Sequence, residues 1–396
     1  MIELNDALQI ALSSAQPLGS EQVELSDSLG RVLVEDVAAD MDLPPFDKSL
    51  RDGYACRRVD LGNVLTVIET IAAGVVPARE IGPNQCAKIM TGAAVPRSAD
   101  CVIMLERAEA VSENTIRVLG DATTSHIARK AGDTRRGQLL LKKGSRLGPP
   151  QVAALASAGC VRPLVALRPR IAVLASGNEL VPPATRPGPS QIRNTNGPQL
   201  LAQLKDMGLE ANDFGIARDT PADIDRVLKT ALGENEVVLI SGGVSVGDFD
   251  FVPAVLRQNQ IELLFEKVAI KPGKPAVFGR RGQTYCFGLP GNPVSTFVVF
   301  ELLVKPFLYK LMGHEYSPVT VQMCLEESVA RKDTDRQSWI PVQRTGTATV
   351  RPVKYHGSAH TAALCEADGL VSLDIGVAHL AKGAPVCVRL LGRMGS

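Results

Sequence analysis

From about residue 169 onward, short apolar runs alternate with amphipathic helical segments, and no other feature of the chain narrows its fold as far. The run IAVLAS leads to NGPQLLAQLKDMG, which has Pro198 near its start and Gly208 at its end. TPADIDRVLKTALG then opens with a Thr-x-x-Asp capping box and a first-turn proline, and the run EVVLI follows. This alternation predicts a mostly parallel sheet with helices on both faces, whose ligands bind beyond the carboxyl ends of the strands. Two glycine-rich loops fall at such ends, ASGNEL after the first strand and SGGVSVGD after the later one.

The periodicity changes on either side of this region, and the changes mark candidate boundaries. Residues 41–135 read as short strands (LTVIETI, CVIMLE, TIRVL) broken by glycine and proline, a β-rich module. It interrupts a second module made of 1–40 and 136–168, which contains an N-terminal amphipathic helix and the proline-initiated helix GPPQVAALASAG. The α/β region spans 169–315 and ends in a long apolar helix from near Pro293 toward Leu311. Residues 316–396 return to strands with alternating pattern, predicting a small closed or sandwich-like β domain.

Composition bounds the function. A chain of 396 residues, 45% apolar, can bury several cores, so two to four domains are expected. Forty-three basic residues against 42 acidic ones leave no global field that would draw nucleic acid or an anionic membrane, so charge-based recognition must be local. Eight cysteines without a CxxC pair signal neither a zinc ribbon nor a disulfide framework, and free thiols in a reducing cytoplasm fit best. Glu3 and Asp6 stand where a signal peptide would be basic, and no apolar run reaches the roughly 18 residues of a membrane span.

The loop SGGVSVGDFDF carries the most specific local chemistry. Gly242 and Gly247 have the spacing of a phosphate loop, but Asp248-Phe249 replaces its Lys-Ser/Thr. The backbone amides of Gly242, Gly243 and Gly247 can approach an oxyanion closely. Asp248 and Asp250 are compatible with phosphate if Mg²⁺ lies between, since that ion bridges carboxylates to phosphate oxygens; alternatively one of them is the N-cap of a strand-to-helix turn. In AIKPGKP, Lys271 and Lys274 flank a Pro-Gly turn, and period-2 alternation puts Lys267 on the face of Lys271. The three lysines fit either an anion subsite or a solvated hairpin. Pro290 and Pro293 stiffen GLPGNPV, a turn suited to holding a flat ring or an anion, and equally an ordinary strand-to-helix connection.

Other patterns are absent or weak. There is no Gly-x-Gly or His-Glu-x-x-His. His356 and His360 are four apart, but the intervening glycine and serine argue against one helical face holding a metal. Between Arg129 and Arg146 seven basic residues face one acid, Asp133, which reads as a solvated face before an anion-binding edge.

In order along the chain, LPPFDKSLRDGYA, KIMTGAAVPRSADCVIM, ASGNEL, SGGVSVGDFDF, AIKPGKP and GLPGNPVSTF resemble the motifs of the molybdopterin molybdenumtransferase family, the MoeA and gephyrin E-domain proteins. The resemblance covers essentially the whole chain. It implies a multidomain α/β plus β fold: a three-layer α/β domain similar to the molybdopterin adenylyltransferase domain, an inserted β-rich module, an elongated linking module and a small C-terminal β-barrel. It implies insertion of molybdate into adenylylated molybdopterin with release of AMP, assisted by Mg²⁺. A cytoplasmic homodimer is implied, with each site shared between subunits and the adenylyltransferase as a possible partner.

Carried onto matching positions, the implied catalytic set is Asp52, Thr91, Asp133, Glu179, Asp219, Asp248 and Asp250. The substrate-binding set is Ser241, Gly242, Gly243, Lys267, Lys271, Lys274, Pro290 and Pro293, and Glu179, Asp248 and Asp250 are the metal candidates. The first motif departs from the family pattern: Lys48 replaces Asn, and Leu50-Arg51 replaces Ala-Met, adding two positive charges beside the retained Asp52. Two other functions stay open at this level, the pathway's adenylyltransferase and a binding scaffold that has lost catalysis.

Overall fold

The computed structural model describes residues 1–120, 124–245, 250–354 and 357–392, so Gly247, Asp248 and His356 of the motifs above lie outside the described residues. The chain begins with helix α1 (Leu4–Ser14), whose Ala7 and Ala11, one turn apart, are fully buried in the same apolar cluster as the central sheet. The Tyr285 hydroxyl, buried in that sheet, donates to the Ser14 carbonyl at 3.0 Å and accepts the Gln16 amide at 3.0 Å, so the end of α1 is held by both its polar groups.

The chain then leaves to build a six-stranded sheet from β1 (Gly53–Cys56), β2 (Val64–Ile71), β3 (Gln85–Ile89), β4 (Cys101–Met104), β5 (Ala108–Ser112) and β6 (Thr115–Val118), ordered β4-β1-β3-β2-β6-β5. Gly53 begins the inner strand β1 because nothing larger fits: a Cβ there would stand 1.9 Å from the Ile103 carbonyl oxygen. Short antiparallel pairs flank the excursion, Val37–Ala38 with Leu139–Leu141 and Ser20–Gln22 with Leu164–Ala166. Helix α2 (Pro149–Ser157) starts at its prolines as expected.

The alternating region folds into β7 (Ile171–Ser176), α3 (Asn196–Asp206), β8 (Ala211–Ala217), α4 (Pro221–Glu234), β9 (Val237–Ser241), α5 (Val252–Gln258), β10 (Glu262–Phe265), β11 (Val277–Arg281) and β12 (Thr284–Leu289). The sheet order is β8-β7-β9-β12-β11-β10; the first four strands are parallel and the last two antiparallel. Every residue of β7 and β9 is buried, which is why their sequences are continuous apolar runs. The capping box of α4 forms by half. Thr220 Oγ1 accepts the Asp223 amide at 3.3 Å, but the Asp223 carboxylate takes the Arg218 amide.

Helix α6 (Pro293–Val299), a π-helical turn (Phe300–Val304) and α7 (Lys305–Leu311) run on as one buried element. Phe307 meets Phe278, Phe287 and Tyr285 with ring centroids 4.9–5.5 Å apart, a tight cluster in a chain only 4% aromatic. Each such ring contributes about 1.5–3 kcal/mol by burial. The last strands, β13 (Thr320–Leu325), β14 (Gln337–Arg344), β15 (Thr349–Pro352), β16 (Gly369–Leu373) and β17 (Pro385–Leu390), close into a five-stranded barrel ordered β14-β15-β13-β17-β16, with β16 pairing back to β14.

Two of the contacts between barrel and α/β region are polar and specific. Ile270–Lys271 adds parallel to β14, Lys271 opposite Ser338. The second centres on Glu301, 6% exposed: its carboxylate accepts Lys305 Nζ at 2.9 Å and Gln203 Nε2 at 3.1 Å, and its carbonyl accepts the Arg389 guanidinium of β17. Burial works against the Lys305 ammonium, but the Glu301 carboxylate, together with Tyr316 and Tyr309, holds Lys305 above its ordinary value. Glu301→Ala leaves that ammonium without its counter-charge. It should cost about 3–5 kcal/mol, read as a lower denaturation midpoint by urea titration, the cost of breaking a buried pair from one side.

Candidate functional site

The carboxyl ends of β7, β9 and β12 open into one cavity of about 1250 Å³. At its floor the exit turn of β9 runs against the end of β7. Gly242 has φ +97°, and a Cβ there would lie 2.2 Å from the Ser176 carbonyl oxygen, so glycine alone allows the approach. Ser176 in turn donates from Oγ to Asp219 Oδ1 at 2.5 Å, while the Asn178 amide reaches Oδ2 at 3.3 Å. Asp219, placed by the end of β8, is thereby oriented by the β7 loop.

Glu179, Asp219 and Asp250 line this cavity together with Lys271, Lys274 and Arg336. Lys271 pairs with Asp333 at 3.4 Å, both side chains about half exposed or more, an arrangement that solvent screens and that contributes little to stability. Pro290 and Pro293 form the third loop, which is tied to the C-terminal part: the Asn292 side chain donates to Ser358 Oγ at 2.9 Å and the Val294 amide to the Ser358 carbonyl at 3.0 Å. Ser358 itself lines the cavity.

Ser241 is 2% exposed and its hydroxyl is already occupied. It donates to the Pro290 carbonyl at 3.2 Å and accepts Asn196 Nδ2 at 2.6 Å. Ser241 lines the cavity while its hydroxyl holds two of the surrounding loops together. Lys267 does not line the cavity. Residues 266–269 are not a continuous strand, and Val268, Ala269 and Ile270 are buried in succession, so period-2 alternation does not carry from Lys271 back to Lys267.

Asp52, Thr91 and Asp133 stand elsewhere on the chain. Asp52 precedes β1, and its Oδ1 accepts both the Thr91 amide at 2.6 Å and the Thr91 hydroxyl at 2.8 Å; these donors hold its carboxyl below the usual aspartate range. The structure thus brings together two residues 39 positions apart. Asp133 is exposed, and its amide donates to the Leu43 carbonyl at 3.0 Å. Nearby, Asp42 and Asp47 pair with Lys130 and Arg129, which neutralises part of the basic run.

Three family models match the chain in order: the MoeA N-terminal region (domain I and II) over 2–159, the probable molybdopterin binding domain over 172–310, and the MoeA C-terminal region (domain IV) over 328–391. The molybdopterin molybdenumtransferase of Staphylococcus epidermidis is 33% identical, across 98% of this chain and 95% of that protein. The chain belongs to the MoeA family. Its transferases of molybdenum cofactor biosynthesis also include a Staphylococcus aureus relative, 33% identical over 98% of this chain and 95% of its own.

Two solved Pyrococcus horikoshii MoeA structures are similar throughout. One is 33% identical with a TM-score of 0.81, covering 98% of this chain and 99% of its own; the other is 28% identical with a TM-score of 0.85, covering 99% and 100%. Within this MoeA-family chain, Asn196, Arg336 and Ser358 line the cavity yet carry no signal that singled them out. Asn196 reads as the start of a helix, and Arg336 and Ser358 arrive from strands and turns of the C-terminal part, far away in sequence.

Because the Asp52 pKa lies below the unfolded value of 3.8, its contribution to stability is present above that value and is lost as pH falls through the depressed one. Thr91→Val removes the hydroxyl donor and keeps the amide. The carboxyl-carbon NMR titration of Asp52 should then move back toward 3.8, and an unmoved titration would show that the hydroxyl contributes nothing.

Proposed function

We propose that the chain inserts molybdate into adenylylated molybdopterin and releases AMP, with the chemistry in the cavity beyond β7, β9 and β12. The observation that carries this reading is the meeting, in one cavity of a chain that matches the family from end to end, of a glycine turn, carboxylates and cationic side chains. The N- and C-terminal matches weigh against a stand-alone adenylyltransferase. The retained carboxylates weigh against a scaffold without catalysis.

In this reading the Gly242 and Gly243 turn accommodates the diphosphate that joins AMP to molybdopterin, since it leaves room for an oxyanion close to the backbone. Lys271, Lys274 and Arg336 gather molybdate, the cargo, by Coulomb attraction, and Asp333 yields Lys271 to it. Pro290 and Pro293 wall the chamber, and Asp219 keeps the β7 loop in place.

Magnesium fits the donor set. Among the described lining residues there are oxygen donors and no cysteine or histidine, and no three potential ligands among the described residues are grouped tightly enough to hold an ion by themselves. Oxygen donors of this kind suit an ion held by one or two carboxylates plus substrate phosphate. Glu179 and Asp250, with Asp248, are the residues that would hold it, and bound there it would neutralise the diphosphate.

Asp52 and Thr91 enter the reaction through a second copy of the chain. A two-fold homodimer makes two equivalent clefts, each taking its Asp52 from one subunit and its Glu179 from the other. Lys48 and Arg51 then add positive charge at the rim of the partner's cleft. Eight cysteines with no disulfide agree with action in the cytoplasm. The adenylyltransferase that makes this substrate is the natural donor partner.

Purified protein given adenylylated molybdopterin, Mg²⁺ and molybdate should release AMP. Lys274→Ala should raise the half-saturating molybdate concentration about tenfold or more with thermal stability nearly unchanged, because exposed lysines contribute little to folding. An unaltered molybdate response would return Lys274 to the ordinary surface. Asp52→Ala and Glu179→Ala homodimers should each be nearly inactive, yet after subunit exchange, confirmed by native mass spectrometry, about a quarter of the wild-type sites should be intact. No recovery after confirmed exchange would place both residues in a cleft of one subunit.

A further inference from the structure

We infer that Asn196 is the positioning residue that holds the Gly242–Gly243 turn and the Pro290–Asn292 turn in register, and that it thereby governs the nucleotide-bearing substrate and not molybdate. The inference rests on the reading above that the cavity takes adenylylated molybdopterin. Asn196 is the first residue of α3, lines the cavity and is only 7% exposed. Both hydrogens of its amide are committed. Nδ2 donates to Ser241 Oγ at 2.6 Å, 45 residues along the chain, and to the Gly291 carbonyl at 2.7 Å, 95 residues along.

The two turns have no covalent reason to stay together, and the amide is a bridge between them. Ser241 extends the bridge by donating from Oγ to the Pro290 carbonyl, which Thr296 Oγ1 also reaches at 2.5 Å. The turns themselves abut: a Cβ on Gly291 would lie 3.8 Å from Gly242 Cα, ordinary van der Waals contact. A shift of either turn would therefore move the backbone amides and the proline wall relative to each other.

The orientation of the amide is dictated by these acceptors. Turned the other way, its oxygen would confront the Gly291 carbonyl, and the Ser241 hydroxyl could serve it only by giving up its bond to the Pro290 carbonyl. In the orientation adopted, Oδ1 is buried with no hydrogen-bond partner. An unpaired buried acceptor is a standing cost, which the two donated bonds must outweigh. None of the hydrogen bonds of Asn196 reaches Lys271, Lys274 or Arg336, so a change here leaves the cationic wall as it is.

Asn196→Asp keeps the shape, removes both donors and sets a carboxylate against the Gly291 carbonyl; Asn196→Ala removes the bridge without adding charge. Both variants should raise KM for adenylylated molybdopterin about tenfold or more while half-saturating molybdate stays within about twofold of wild type. Amide hydrogen exchange of the unliganded proteins should accelerate in 241–245 and 289–296, with β7 and β11 unchanged. Constants for the two substrates rising together, or both staying at wild-type values, would overturn the inference. So would exchange that accelerates throughout the sheet or nowhere. If wild-type protein releases no AMP, the functional reading fails by itself. The exchange pattern then decides alone whether Asn196 positions the turns, and a non-local or absent change still overturns it.

Discussion

The site depends on one close approach, the passage of the β9 exit turn over the end of β7, where Gly242 lies too near the Ser176 carbonyl for any side chain to fit. Parallel strands buried on both faces end at the same level, so their loops compete for the same space above the sheet. Glycine settles the competition by letting one loop lie flat. Ser176 is then free to orient Asp219, and the Pro290–Asn292 turn can settle against Gly242. Loops from four parts of the α/β region thus meet around one cavity.

The remaining wall belongs to another folding unit, and its attachment is both polar and β-bonded. Ile270–Lys271 is an extra strand beside the barrel's β14, which places Lys271 opposite Ser338 and close in register to the residues that carry Arg336 into the cavity. At the far side Glu301 gathers Lys305, Gln203 and the Arg389 guanidinium. Tyr316 supports the same cluster, its ring 5.9 Å from Lys305 Nζ and 5.8 Å from the Arg389 guanidinium carbon. Such a cluster specifies how barrel and sheet meet, since a charge desolvated without its partner is expensive. The Glu301 cluster is thus buried and structural, whereas the charges lining the cavity are solvated and open to ligands.

Much of the fold was legible in the chain. Continuous apolar runs marked β7 and β9, prolines and glycines bracketed α2, α3 and α4, and alternation marked the strands of the barrel. The errors arose where a local rule met a tertiary contact. Period-2 reasoning from Lys271 to Lys267 failed because the backbone between them bends to pair Ile2 with Val268 and the amide of Ile2 with the Lys267 carbonyl. The box at Thr220 formed by half because the Thr220 amide donates to the Arg218 carbonyl at 2.7 Å while the Arg218 amide donates to the Asp223 carboxylate at 2.8 Å.

By itself, then, the sequence determined the elements, the glycine and proline positions where the backbone must turn or approach closely, and the family to which the chain belongs. These follow from local sterics and burial period, which neighbours along the chain suffice to express. Only the tertiary structure decided which polar groups share a cavity and which are consumed holding it together. Ser241 lines the cavity and bonds Asn196 and Pro290 across it, Thr91 and Asp52 meet away from it, and Arg336 arrives from the barrel beside Lys271. A hydrogen bond needs its donor and acceptor within about 3 Å, and that proximity is created between residues tens of positions apart only when the strands have stacked and the loops have met.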